Sequence, residues 1–273
     1  MPIANARMYS ATQELREDWR TVLHWVLARA GLQGDEGRGG WRVIDYDPPA
    51  PLSALWARPD LGAVMMCGLP FGRQRDRVQI IAAPVPSPVR YGGRPIYFTD
   101  LVVRSDSRAA TLEDTFGGAI GYTVGDSMSG CIALKAYLRE QAGAPANYRQ
   151  VVGGLIHARG VIEALAAGRI DVGPLDSWYH DMLERNDTAF AAQVRTIATT
   201  RAAPIPALVA ANTIDPTALS SLRESLLAVG GAPELKAPLD RLLLVGFSVP
   251  DPDTYNVLPA LAESVADFMG EMK

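Results

Sequence analysis

Ser127 and Ser129 flank Met128 in the stretch GDSMSG (125–130), with a strand-like run, GAIGYTV, leading into it and a helix-like run, CIALKAYL, leading out. Small hydroxyl residues at a strand-to-helix junction leave the first amides of the helix without intrahelical acceptors. Those donors, added to the positive end of the helix dipole, suit an anion. The plainer reading is a helix cap, because serine is a favoured N-cap residue. A third reading is nucleophilic, since Ser127, His157 and Asp176 supply the residue types of a hydrolytic triad. Against it, residue 129 is serine where G-x-S-x-G requires glycine, and the chain order Ser, His, Asp is not the hydrolase-fold order.

Elements must position these residues, and the chain alternates strand and helix patterns throughout. Strands are expected at ANARMY, WRVIDYD, GAVMMCG, RVQIIAAPV, PIYFTDLVVRSD, GAIGYTV, NYRQVVGG, RIDVGPLDS, QVRTIATT and RLLLVGFSV. Helices are expected after the capping-box spacing Ser10–Gln13, over PLSALWARPD, at a short segment capped by Thr111–Asp114, after GDSMSG, over LIHARGVIEALAAG and over WYHDMLER. Asp215 followed by Pro216 starts another helix, and the last runs from about Tyr255 to Met269. The alternation predicts α/β sheets with parallel strands. A length of 273 residues allows two lobes, with extended segments near Tyr97 and Ala203 as the crossings. The expected boundaries are 1–97 and 205–273 for lobe 1, which carries both termini, and 98–204 for lobe 2.

In open α/β sheets ligands bind outside the carboxyl ends of the strands. Those ends carry Tyr9 and Ser10, Cys67 and Gly68, Ser127 to Ser129, His157, and Asp176 with Ser177. Each has a bland explanation, His157 as a satisfied surface histidine and Asp176 as a helix cap. Five polar strand ends together point to a ligand site.

Composition excludes several classes. Hydrophobic residues are 48% and charged residues 21%, as in a folded protein. A net charge of −4 without basic blocks gives no support for nucleic acid or anionic lipid. The sequence has no apolar run long enough to span a bilayer. There is no P-loop, no dinucleotide glycine fingerprint and no paired metal-binding histidine spacing, so no cofactor or metal is expected. Cys67 and Cys131 read as buried thiols. The N-terminal MPIANARMYS has no basic n-region or apolar h-region, so the chain reads as cytoplasmic as it stands, and as periplasmic if a leader has been removed.

Three stretches carry a resemblance: IYFTDLVVRSDS, TLEDTFGGAIGYTVGDSMSG and VVGGLIHARGVIEALAAGRIDVGPLDS. Together they resemble the phosphate/phosphonate-type substrate-binding proteins of ABC importers, most clearly from Ile96 to about Leu183. The resemblance implies a two-lobed type II periplasmic-binding-protein-like α/β fold, each lobe a mostly parallel sheet flanked by helices. It implies a non-catalytic solute-binding protein that closes on a small anion, for an ABC-type importer or as a sensor, with a permease as its protein partner. Ser127 and Ser129, with the amides after them, hold the oxyanion in this reading, and His157 donates from a facing turn. Tyr97 and Thr99 match aromatic and hydroxyl contacts. Asp176 matches the acidic residue that meets an amine in aminophosphonate binders, and Tyr9 and Ser10 close the site from the first lobe. Met128 admits a less polar ligand, and Asp100 would repel an anion if it faced the cleft. The alternative is a serine-type hydrolase or lyase on the same fold, acting on a small acidic metabolite through Ser127 or His157.

Overall fold

The computed structural model describes residues 1–34, 40–48, 50–142 and 148–269. The chain divides into two compact units, Met1–Ile96 with Pro204–Tyr255 and Tyr97–Ala203 with Asn256–Lys273. The tail departs from the expected division, which gave 205–273 wholly to the first lobe. Residues 256–269 pack on the second unit, where Lys135 and Arg139 of one helix donate to the carbonyls of Ala266 and Ser264. Phe268 also packs against that unit's core of Leu101, Val103, Ile120, Leu134 and Leu138.

The first unit is built on a six-stranded sheet. Its order is Leu244–Ser248, Val78–Pro86, Ala207–Ala211, Leu61–Met66, Ile3–Asn5 and Arg42–Val43. Ile3–Asn5 is parallel to both of its neighbours, whereas Ala207–Ala211 is antiparallel to Leu61–Met66 on one side and to Val78–Pro86 on the other. The sheet is therefore mixed, not mostly parallel. Leu61–Met66 and Val78–Pro86, joined through the helix Gly68–Arg73, do run the same way, as their alternation predicts. A strand arriving more than a hundred residues later lies between them. Both Leu61–Met66 and Ala207–Ala211 are buried along their whole length, consistent with central strands covered on both faces.

The helix Gln13–Arg29 covers this sheet with Leu15, Trp19, Val22, Leu23, Val26 and Leu27. Its cap is Thr12, whose Oγ1 accepts from Leu15 N at 3.2 Å, so the capping box expected from Ser10 lies two residues too early. Asp215 caps Pro216–Leu227 as expected, accepting from the amides of Thr217 and Ala218. A helix over Lys236–Arg241 had no sequence counterpart. Arg241 reaches from it to the buried Asp18 with two hydrogen bonds, of 2.8 and 2.5 Å.

The second unit holds an antiparallel sheet with Thr99–Arg104 between Val194–Thr199 and Gly173–Asp176. A parallel pair, Ala119–Gly121 with Gln150–Val152, extends the layer through a bridge from Ile120 to Val172. The expected strand NYRQVVGG begins at Asn147, which lies outside the described residues; its observed core is Gln150–Val152. Helices Ala133–Ala142, Ala158–Ala166 and Ser177–Asn186 flank these strands. This layer is also mixed, because Gly173–Asp176 runs antiparallel to Thr99–Arg104.

Candidate functional site

GDSMSG leads into one wide π turn. Met128–Ile132 forms it, the Ala133 amide bonds to the Met128 carbonyl, and the helix Ala133–Ala142 continues from there. Ser127 caps the turn: its Oγ accepts from Gly130 N at 3.0 Å, and its carbonyl accepts from Cys131 N and Ile132 N, both at 3.1 Å. Among the described residues, no acceptor lies within hydrogen-bond reach of the Met128 and Ser129 amides. A π turn is wider than an α turn and is found disproportionately at functional sites.

Outside groups hold the turn in shape. Thr99 Oγ1 donates to the Ser129 carbonyl at 3.1 Å, and Thr123 N donates to the Gly130 carbonyl at 3.0 Å. Gly130 is required here, because a Cβ would sit 1.8 Å from Thr123 Oγ1. The Ser129 hydroxyl faces Asp176 Oδ2 at 3.4 Å, a long contact that leaves it able to turn to a better acceptor. Cys131 is buried, and that burial pushes its thiol above the ordinary range.

Asp176 divides its carboxylate. Oδ1 accepts from the Trp178 and Tyr179 amides at 3.0 and 3.1 Å and caps the helix Ser177–Asn186, while Oδ2 lies against Ser129. His157 caps Ala158–Ala166 in the same manner, its Nδ1 accepting from Gly160 N at 3.1 Å. The ring proton is thereby left on Nε2. A triad needs both ring nitrogens, one for the serine and one for the carboxylate. With Nδ1 committed to a backbone amide, Ser127, His157 and Asp176 do not form one.

The sequence-derived residues fall into distinct groups. Ser127, Met128, Ser129, Thr99 and Asp176 form one connected cluster in the second unit. Met128 is buried and Thr99 is fully enclosed, so Thr99 acts on the turn through the Ser129 carbonyl. Tyr97 is buried at the end of the short strand Ile96–Tyr97, two residues before Thr99. In the first unit Tyr9 is a core residue whose carbonyl accepts from Trp19 Nε1, and the half-buried Ser10 follows it. Asp100 points away from the cluster, as strand alternation requires. It is enclosed at 1% exposure, accepting from Thr199 Oγ1 at 2.9 Å and lying 3.1 Å from His180 Nδ1. Its side chain therefore does not face Ser129, the placement on which the expected repulsion depended. Sequence reasoning missed Thr123, whose only sequence signal is its place at the end of the strand run.

The loop before His157 carries strain. Ile156 has φ 65°, a left-handed conformation that a β-branched residue adopts only under constraint, and its side chain is exposed. Ile156→Gly is expected to stabilise the protein by roughly 0.5–1 kcal/mol, the strain relieved less the freedom that glycine adds to the unfolded chain. A raised urea midpoint with an unchanged slope is the expected observation, and an unchanged or lowered midpoint would show that the loop holds no such strain.

A family described as "ABC transporter, phosphonate, periplasmic substrate-binding protein" matches residues 58–255. The fold is similar to that of a binding-protein component of an ABC phosphonate transporter from Pseudomonas aeruginosa, with TM-score 0.75, 19% identity and 99% and 98% of the two chains covered. It is similar also to PhnD1 from Prochlorococcus marinus in complex with methylphosphonate, with TM-score 0.77, 12% identity and 97% and 98% coverage. A protein from Xanthomonas citri bound to chloride matches with TM-score 0.70 at 18% identity, over 99% of both chains. A comparison with curated protein sequences finds no match. Among the described residues, no helix is long and apolar enough to cross a membrane.

Proposed function

The chain belongs to the phosphonate family of ABC-transporter periplasmic substrate-binding proteins, and from that premise we propose that the turn Ser127–Ile132 is where it holds a small phosphonate-type oxyanion. The family is one of solute-binding proteins, and the chain is a non-catalytic member of it. The observation that supports the ligand reading is the pair of open amides on Met128 and Ser129, fixed in position by Thr99 and Thr123. Preorganised donors bind an anion without a reordering cost. The Ser129 hydroxyl and His157 Nε2 are further donors in this reading. In this reading Tyr97, two residues before Thr99, adds an aromatic contact from the second unit. Delivery to a membrane permease and residence in the periplasm go with the same reading.

The test is a thermal-shift screen against methylphosphonate, inorganic phosphate, methanesulfonate and acetate in phosphate-free buffer. A ligand present at 100 times its Kd stabilises by about 2.7 kcal/mol. Ser129→Ala is the discriminating variant, because Ser127→Ala also removes the cap of the turn. One lost hydrogen bond to a charged group is worth about 1.5–3 kcal/mol, so Ser129→Ala is expected to weaken binding roughly 10- to 150-fold while leaving the unliganded melting point almost unchanged. If none of the four anions shifts the melting point, the turn is only a helix cap.

A further inference from the structure

The first unit contains a shallow, open groove, lined only by its own residues, at the end of the strand Ile3–Asn5. It is lined by Arg7 and Ser10, by Arg16, Trp19 and Arg20 of the helix Gln13–Arg29, and by the segment 43–47. Three arginines face it, and they differ in one respect. Arg16 is held by Asp47 at 2.8 Å and Arg20 by Asp45 at 2.7 Å. Among the described residues, Arg7 has no carboxylate at ion-pair distance.

Arg7 is held in place all the same. Its Nη1 donates to the Ala50 carbonyl, its guanidinium lies over the Tyr46 ring at 5.4 Å, and its amide donates to Asn5 Oδ1 at 3.0 Å. Tyr46 is itself fixed by a 2.9 Å bond from its hydroxyl to the Pro51 carbonyl. Burial is the largest influence on the group and pulls its pKa below the ordinary arginine value, with Arg16 acting in the same direction and Tyr46 and Asp47 opposing. A half-buried charge without a counter-ion is unfavourable unless something supplies one. Among the described residues the Nε–Nη2 edge of the fork has no hydrogen-bond partner, and that edge matches two oxygens on one atom.

We propose that this groove is a second anion site, in which Arg7 takes a carboxylate or phosphoryl group two oxygens wide, with Tyr46 as its platform and Ser10 beside it. Nearby Asp45 and Asp47 are each paired with an arginine other than Arg7, and Arg20 also meets Glu17 at 3.7 Å. The proposal stands independently of the second-unit turn, none of whose residues lines the groove.

The test uses the full chain labelled with 15N. The Arg7 Nε–Hε resonance, assigned as the one absent from Arg7→Lys, is followed while acetate or inorganic phosphate is added to the wild type and to Ser129→Ala. The expected result is a saturable shift with at least one probe, the same in both backgrounds to within twofold. Calorimetry should show one anion site fewer in Arg7→Gln, and at least tenfold weaker binding in Arg7→Lys, which keeps the charge but loses the fork. Saturation by acetate alone assigns a carboxylate, and saturation by phosphate alone a phosphoryl group. The proposal is overturned if neither probe shifts the resonance saturably. It is overturned equally if the shift vanishes in Ser129→Ala, which would make it an echo of the turn. Because the wild-type spectrum decides the matter, a variant that fails to fold does not rescue the idea.

Discussion

Gly130→Ala is expected to destabilise the second unit by about 3 kcal/mol and to remove phosphonate binding. The added Cβ would sit 1.8 Å from Thr123 Oγ1 and 2.9 Å from both Thr123 Cβ and Ser127 Oγ. Forcing atoms into a packed site typically costs about 1–3 kcal/mol, and contacts this short lie at the upper end. Thr123 cannot simply retreat, because its amide holds the Gly130 carbonyl and its side chain is enclosed. The turn must therefore open, which separates the Met128 and Ser129 amides from the positions that Thr99 and Thr123 give them. For a chain of this size the loss corresponds to a fall in Tm of roughly 6–12 °C. Adding Thr123→Ala removes the shortest clash and is expected to recover part of both stability and affinity. A Gly130→Ala protein that melts within a degree of wild type and binds methylphosphonate normally would refute the geometry of the turn.

The second large effect lies on the opposite face of the same strand. Asp100→Ala leaves the His180 ring and the Thr199 hydroxyl without the carboxylate that they share. His180 is 3% exposed, so water does not readily replace that partner. Leaving buried donors without their charged acceptor costs about 1.5–3 kcal/mol. Thr199→Val removes only one hydrogen bond and is expected to cost about 1 kcal/mol. Trp178, the second unit's only tryptophan, supplies a local readout: its 19F signal in 5-fluorotryptophan protein should report unfolding at a lower urea concentration. Ligand affinity in the folded fraction should stay within a factor of two, since Asp100 points away from Ser129. An unchanged urea midpoint would mean that the Asp100–His180 contact contributes nothing.

What the sequence discloses here depends on whether its signal is local. Asp215 and Pro216 announce their helix because capping oxygen and fixed φ act within four residues. Asp176 and His157 stand where strand ends were expected, and each spends one atom as a helix cap. Residue type alone cannot show that use. By type Ser10 is at least as good a cap as Thr12, yet the helix is capped by Thr12. The π turn left no periodicity to read, since it occupies five residues and is fixed by Thr99 and Thr123 from elsewhere. The charge on Asp100 suggested repulsion because its partners, His180 and Thr199, are 80 and 99 residues away. Strand direction was the largest departure. Alternation predicts how consecutive strands run, but not that a distant strand will settle between them.

That inserted strand also sets an order of manufacture. A ribosome releases Leu61–Met66 and Val78–Pro86 early, yet both wait for Ala207–Ala211 before their facing edges are paired. During that interval the whole of 97–203 emerges, and with it every strand of the second sheet. The later domain in the chain can thus assemble its sheet first, while the earlier one stands with two apolar strands open to other chains, the condition in which edge-to-edge association is most favoured. Nascent chains stalled before residue 207 are the species that most need a chaperone.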